Sequence, residues 1–265
     1  MRARRSRDCS PAFNVVAVLA MLSSACGPSP KRVEAAEVNF RVAKQFYAKN
    51  DLVQAMSNAM KARDEDPKNP EVHNFLGLIH LQRNELELSE KSFSRAVELD
   101  PKYSEAQNHL CLVLSERGEQ DRAIAHCQKA VENILYATPE RAYHNMGLAY
   151  ERKGDTPKAV EAYQKALGYN KRFVMSLKAL GEIQAKKGRY ADALRPLEDG
   201  AKVCKESPKG IWLDECPETF YQLALSYIQL RRKDRAIASL EDCVEYSKNP
   251  SELMTKCQFG LKQYK

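Results

Sequence analysis

The sequence has little of what most enzymes and nucleotide-binding proteins need. It contains only 11 glycines in 265 residues, and no group of them forms a glycine-rich phosphate loop. No serine, cysteine or threonine lies in a recognisable nucleophile motif. We therefore expect a protein that has no catalytic activity and no bound cofactor.

The sequence also lacks the residue patterns that are typical of metal sites and of nucleic-acid-binding surfaces. No two cysteines have the spacing of about two to four residues that zinc sites use, and no histidine is spaced with a carboxylate or cysteine as a metal ligand. The formal net charge is +7, and arginines near the N-terminus contribute much of it. No basic stripe interleaved with aromatic side chains is present. We expect neither a metal nor a nucleic-acid partner.

The N-terminal apolar run is too short to cross a bilayer. Residues 13–22 are predominantly apolar, and four arginines precede them between residues 2 and 7. A positive segment followed by about ten apolar residues is typical of a secretory signal. We predict that residues 1–25 are a signal peptide that is removed from the mature chain.

The end of this segment, residues 22–26 with the sequence LSSAC, resembles a lipobox. The resemblance implies that Cys26 becomes the new N-terminus and carries acyl chains such as palmitate, with residues 26–35 as a lipidated tether. Gly27 implies sorting to the outer membrane, where the chain would face the periplasm. The alternative is an ordinary secretory signal cleaved after Ala25, which leaves a soluble protein.

A pattern of about 34 residues recurs between Ala36 and Pro250, and its clearest copy runs from Pro70 to Tyr103. Counted from Pro70, it has leucine at position 7, glycine at 8, a small residue at 20, phenylalanine at 24 and alanine at 27. These residues are Leu76, Gly77, Ser89, Phe93 and Ala96. The pattern resembles the tetratricopeptide repeat, a helix–turn–helix unit in which the small residues let the two helices approach closely.

Six copies fit one register, and we predict an all-α fold, a right-handed superhelical solenoid of six tetratricopeptide repeats. The predicted repeats cover residues 36–69, 70–103, 104–139, 140–173, 174–216 and 217–250. Residues 251–265 are predicted as a C-terminal capping helix, because a solenoid otherwise exposes an apolar face at its end. Ser251 is the expected N-cap of that helix.

Six cysteines follow Cys26, and an even number in an exported chain favours disulfides. Their repeat positions favour three pairs: Cys111–Cys127, Cys204–Cys216 and Cys243–Cys257. The first pair joins the two helices of one repeat, the second closes the only long insertion, and the third joins the last repeat to the capping helix. For the first pair, buried free thiols are the alternative.

The first helix of each repeat should line a concave groove, into which positions 2, 5, 9 and 12 point. We predict that the groove binds a protein partner through an apolar stripe with polar neighbours. The predicted groove residues are Asn74, Leu78, Leu81, Asn108, Leu112, His144, Leu148, Tyr221 and Leu225. The alternative is that the curvature buries the leucines against adjacent helices.

The insertion before the sixth repeat carries Trp212, which either packs back onto the solenoid or contacts a partner.

A lipobox followed directly by six such repeats resembles the type IV pilus pilotins, the family of PilF, PilW and Tgl, with the closest resemblance to Tgl. The resemblance covers nearly all of the mature chain. It implies binding to the type IV pilus secretin, promotion of its membrane insertion and multimer assembly, and a requirement in twitching motility. We expect a monomer in isolation. The alternative is a lipoprotein scaffold for outer-membrane β-barrel assembly or for peptidoglycan hydrolases.

Overall fold

The computed structural model describes residues 28–207, 214–247 and 251–264, and these residues form thirteen α-helices and no strands. The predicted all-α class is confirmed. In chain order the helices are α1 (Pro30–Ala48), α2 (Leu52–Glu65), α3 (Pro70–Gln82), α4 (Leu86–Leu99), α5 (Ser104–Glu116), α6 (Gln120–Glu132), α7 (Pro139–Lys153), α8 (Thr156–Tyr169), α9 (Val174–Lys186), α10 (Tyr190–Glu206), α11 (Cys216–Gln229), α12 (Lys233–Tyr246) and α13 (Glu252–Tyr264).

The chain divides into two compact units, residues 1–72 and residues 73–265. In the first unit, α1 and α2 pack together through buried alanines such as Ala43 and Ala59. Helix α1 begins at Pro30, so residues 30–35 are helical where a tether was predicted. Proline suits the first turn of a helix, and the Arg32 guanidinium lies 2.9 Å from the Glu65 carboxylate at the end of α2.

The second unit is a series of antiparallel helix pairs stacked along the chain. Within each of the pairs α5–α6, α7–α8, α9–α10 and α11–α12 the two helices pack together, and the second helix packs against the first helix of the next pair. Helix α13 packs on α12 at the end of the series. The Ser251 hydroxyl accepts a hydrogen bond of 3.1 Å from the Met254 amide, so Ser251 caps α13 as expected.

A single left-handed residue ends the first helix of every pair. It falls at position 15 of each predicted repeat, where the chain must reverse direction within a few residues. The residues with positive φ are Asn50, Asn84, Gly118, Gly154, Gly188 and Arg231. Asparagine and glycine tolerate this conformation best, so the sequence marks five of the six turns with a suitable residue.

Glycine at position 8 lies directly against the large side chain at position 24 of the same repeat. A Cβ added to Gly147 would lie 2.4 Å from Cε1 of Tyr163, whose ring is fully buried. A Cβ on Gly181 would lie 2.4 Å from Cγ of Leu197. The close approach of the two helices therefore depends on the missing side chain at position 8, as the repeat pattern predicted.

We expect Gly147→Ala to lower the free energy of unfolding by about 1–3 kcal/mol, because the buried Tyr163 ring cannot move away from the new methyl group. Gly168→Ala is the matched control, since a Cβ at Gly168 meets nothing within 4 Å. That change should raise the free energy by about 0.5–1 kcal/mol through helix propensity. Urea denaturation of both variants measures the two shifts, and a shift of the same sign in both would contradict the packing argument.

Candidate partner-binding surface

The first helices of the pairs in the second unit lie side by side and form the surface that the sequence assigned to a partner. Helix α5 packs on α7, α9 packs on α11, and α11 packs on α13. Hydrogen bonds link the remaining neighbours: His144 on α7 lies 3.1 Å from the Ser176 hydroxyl on α9. We call the solvent side of α3, α5, α7, α9 and α11 the A-helix face.

The polar residues at position 5 do not line the A-helix face as predicted. Asn74, Asn108 and His144 are each less than one tenth exposed. The Asn74 side-chain oxygen lies 2.9 Å from Nδ1 of His109, and Asn145 donates a hydrogen bond of 2.9 Å to the side-chain oxygen of Asn108. Each bond joins one repeat to the next. Assigning these three residues to the exposed groove was therefore wrong, because neighbouring repeats use and cover them.

Two histidines in this layer are held neutral by their surroundings. Burial lowers the pKa of His109 to about 4, and the nearby Arg141 guanidinium acts in the same direction. Burial likewise lowers the pKa of His144 to about 4, assisted by the charge of Lys178. A neutral imidazole can both donate and accept a hydrogen bond, and His144 lies against Ser176 in this state.

The predicted leucines are half-buried, so each has a packed side and a solvent side. Leu78 and Leu81 pack against the core cluster around Phe93 and Leu114, and Leu148 packs against the cluster around Tyr163. Burial of the leucines against adjacent helices is therefore partial, and binding of a partner by their solvent side stays a prediction. We call the half-buried residues Leu78, Leu112 and Leu148 the leucine row, since they occupy position 9 on three successive first helices.

Tyr221 and Leu225 on α11 are also half-buried, and Tyr221 packs against the core cluster around Phe220 and Leu240. They continue positions 5 and 9 of the A-helix face at its C-terminal end. The apolar surface at position 9 is interrupted between Leu148 and Leu225, where the residue is Glu182.

This interruption on α9 is charged. The Lys178 ammonium lies 3.9 Å from the Glu182 carboxylate, and burial raises the pKa of Glu182 in spite of that neighbour. The Glu151 carboxylate accepts hydrogen bonds from Lys186 at 2.7 Å and from the Tyr163 hydroxyl at 3.1 Å. The A-helix face thus carries an apolar row followed by paired charges.

The structure joins the same three cysteine pairs that the repeat positions favour. The Cα–Cα distances are 5.2 Å for Cys111–Cys127, 5.7 Å for Cys204–Cys216 and 6.3 Å for Cys243–Cys257. Cys111 and Cys127 occupy positions 8 and 24, so a covalent bond replaces the contact that glycine and an aromatic ring make in other repeats. The disulfides close loops of 12 to 16 residues. Restricting the unfolded chain in this way contributes roughly 3 kcal/mol for each bond.

Several predicted features lie outside the described residues. These are the signal peptide at residues 1–25, the lipidation site Cys26 and residues 208–213 of the insertion, which include Trp212. Within the ranges that the structure describes, no group of three or more metal-ligating side chains could hold a metal ion. None of the helices in those ranges is long and apolar enough to cross a bilayer.

Family models of the tetratricopeptide repeat match three segments of this chain. One model covers residues 43–104 and 144–211, and a second covers residues 217–250. Together the matched segments make up more than half of the chain. The chain is a tetratricopeptide-repeat protein. Both models describe a repeat rather than a catalytic domain.

Solved structures of other tetratricopeptide proteins share this fold. PilW, described as a widely conserved type IV pilus biogenesis factor, is 18% identical with a TM-score of 0.71, and the match covers 84% of this chain and 98% of PilW. PilF of Pseudomonas aeruginosa is 17% identical with a TM-score of 0.68, covering 87% of this chain and 99% of PilF. MamA is 24% identical with a TM-score of 0.53, covering 62% of this chain and 95% of MamA. No curated protein sequence matches this chain.

The tetratricopeptide register also identifies a surface residue that the sequence analysis missed. Cys257 occupies position 7 of α13, so Phe259 falls at position 9 and continues the series of Leu148, Glu182 and Leu225. Phe259 is 69% exposed. Extending the repeat register through the predicted capping helix would have identified it, because the third cysteine pair already sets the register of α13.

Proposed function

We propose that this tetratricopeptide protein is a pilotin, an outer-membrane lipoprotein that binds the type IV pilus secretin and promotes its insertion and multimer assembly. Pilus-dependent motility would then require it. The closer resemblance to Tgl within the pilotin family and the location in the outer membrane are parts of this proposal.

The observation that carries the proposal is the extent of the likeness to PilW and PilF. Each match covers 98–99% of the solved chain and 84–87% of this one. MamA is also covered almost completely, but its match leaves more than a third of this chain unmatched. The fold therefore agrees with that of the pilus proteins over more of this chain than it does with MamA.

The predicted lipid anchor supplies the second part of the argument. A chain acylated at Cys26 would remain at the membrane surface, where the secretin monomer must also insert. Tethering raises the effective concentration of a binding surface without any new contact. The A-helix face would hold an apolar segment of the monomer and so prevent its aggregation until neighbouring monomers associate.

The leucine row gives this proposal a specific test. Leu112 is half-buried on α5, and we expect Leu112→Glu to weaken co-purification of the secretin at least about tenfold, because the new charge would be desolvated by an apolar partner segment. Leu88→Glu is the matched control, since Leu88 is 48% exposed on α4 and lies outside the A-helix face. Thermal unfolding of both variants checks that the fold is intact.

Equal secretin recovery with Leu112→Glu, Leu88→Glu and the unchanged chain would contradict the role of the leucine row. The function itself is tested by immunoblotting for detergent-resistant secretin multimers in cells with and without the gene. Loss of multimers with the monomer still present supports the pilotin proposal. Normal multimers in cells without the gene reject it, and co-purified barrel-assembly subunits or cell-wall enzymes would favour the scaffold alternative.

A further inference from the structure

Two adjacent side chains in the second unit are almost fully exposed although they are aliphatic. Ile134 is 95% exposed and Leu135 is 85% exposed, the highest values among large apolar residues in the described ranges. They lie in the connection between α6 and α7, residues 133–138, whereas the connections 100–103 and 170–173 are two residues shorter. The extra length places the two side chains beyond the ends of the helices.

The exposure of this pair does not come from a loose connection. The Asn133 side-chain amide donates a hydrogen bond of 3.0 Å to the Ser104 hydroxyl, and its oxygen accepts one of 3.0 Å from the Leu135 amide. Tyr136, directly after the pair, is only 7% exposed. The connection is therefore held at both ends, and its geometry directs the two aliphatic side chains into solvent.

The cleft beside Ile134 carries two lysines and one carboxylate. Ile134 lines a cleft together with Lys102 and Lys129, whose side chains are exposed, and with the exposed Glu132. Two more exposed cations lie on the next connection at the same end of the helices, Lys171 and Arg172, and the Arg172 guanidinium is paired with the Glu206 carboxylate at 2.6 Å.

An exposed tyrosine lies at the same end of the helices. Tyr169, the last residue of α8, is 61% exposed and stacks on Tyr143 in the first turns of α7, with 5.5 Å between the ring centroids. We call Lys102, Lys129, Ile134, Leu135 and Tyr169 the basic edge.

We propose that the basic edge docks on the surface of an anionic phospholipid bilayer, with Ile134 and Leu135 inserted at the boundary of the acyl chains. A protruding aliphatic pair, with two lysines at its cleft and a tyrosine at the same end of the helices, is the composition that favours a membrane interface. Cations near an anionic surface are attracted by its potential, and the tyrosine ring suits the headgroup region.

This inference rests on the proposed function in one respect only: the anchor on Cys26 would keep the chain near a bilayer. Two aliphatic residues and a few lysines give weak binding from free solution. An anchored chain meets the surface at a high effective concentration, so the same contacts become sufficient to orient it.

The test uses the mature chain from residue 26 with Cys26→Ser, which keeps all thirteen helices but carries no acyl chains. Because binding from free solution is weak, the vesicles of phosphatidylglycerol and phosphatidylethanolamine are used in large excess, and we expect a small but measurable fraction of this chain to co-sediment with them. Adding Ile134→Ser and Leu135→Ser together should lower the partition coefficient at least about tenfold. The matched control is Leu88→Ser, because Leu88 is 48% exposed near the start of α4, at the opposite end of the helices.

Hydrogen exchange gives a second readout on the same chain. Vesicles should slow the exchange of amides in residues 133–137, and the effect should weaken with salt and with uncharged vesicles. No partitioning of the chain with Cys26→Ser, or equal loss with Leu88→Ser, would overturn the inference. Unchanged partitioning of the double variant would also overturn the inference. If that variant in addition lost secretin co-purification, the pair would contact a protein instead of the membrane. Normal secretin multimers without the gene reject only the proposed function.

Discussion

Cys26→Ala is expected to release the protein from the outer-membrane fraction and to abolish detergent-resistant secretin multimers. The acyl chains predicted on Cys26 are the only strong attachment to the membrane, since the basic edge alone would bind weakly. One acyl chain gives marginal, reversible membrane binding, whereas two or more give stable anchoring. Without them the protein would be diluted through the periplasm, and its effective concentration at the membrane would fall by orders of magnitude.

Fractionation of cells followed by immunoblotting for both proteins measures this effect. Cys9→Ala is the matched control, because Cys9 lies in the predicted signal peptide and would not be present in the mature chain. Cys9→Ala should leave the location and the multimers unchanged. Mass spectrometry of the mature protein should find acyl chains on Cys26. An N-terminus at Cys26 without acyl chains would establish the ordinary secretory signal, and the anchoring mechanism would be rejected.

The second large effect is a loss of stability between pH 6.5 and pH 4. The pKa values of His109 and His144 are about 4 in the native protein, whereas an unfolded histidine titrates near 6.5. In this window the unfolded chain binds protons that the native protein does not, so the free energy of unfolding falls as the pH falls. The stabilisation is complete above pH 6.5, and no further loss comes from these residues below pH 4.

Each of the two histidines should contribute a loss on the order of 3 kcal/mol across this window. Together they account for a large part of a typical domain stability of about 5–15 kcal/mol, so we expect acid unfolding before the surface carboxylates are fully protonated. Glu182 acts in the opposite direction, because burial raises its pKa and the native protein binds that proton earlier. Its effect offsets only part of the loss.

Urea denaturation at half-unit steps of pH measures this dependence. His109→Gln and His144→Gln each remove one titrating group. In each variant the number of protons taken up on unfolding should fall by up to one, and the slope of the free energy of unfolding against pH should fall in proportion. Both variants are expected to lose stability at every pH because they disturb hydrogen bonds between repeats, so the slope is the readout. An unchanged slope in both variants would show that the buried imidazoles do not control the acid transition.

The repeat pattern predicted much of what the structure shows, because the residues that define it contact one another within a single helix pair. Gly147 and Tyr163 are separated by 16 positions in one helix pair, and their contact follows from the geometry of that pair alone. The same register placed Cys111 opposite Cys127 in the third repeat. Contacts inside one helix pair depend on periodicity and on side-chain size, and both can be read from the amino-acid sequence.

Contacts between repeats were predicted less well. Asn74, Asn108 and His144 were placed on the exposed groove, but the next repeat covers all three. Each of them also forms a side-chain hydrogen bond to that repeat. How far one first helix lies from the next depends on packing along the whole stack, which no single repeat contains. The start of α1 at Pro30 was missed for a different reason: Arg32 lies before the repeat pattern begins at Ala36, so the pattern carries no information on its ion pair with Glu65.

The sequence by itself determined the helical class, the number of repeats and the favoured cysteine pairs, since each follows from residue types at fixed spacing. Tertiary structure alone decided which polar groups are buried between repeats and which apolar groups remain exposed. The exposure of Ile134 and Leu135 shows the reason. Their hydrophobicity would place them in a core, but the hydrogen bonds of Asn133 hold the connection so that both side chains face solvent.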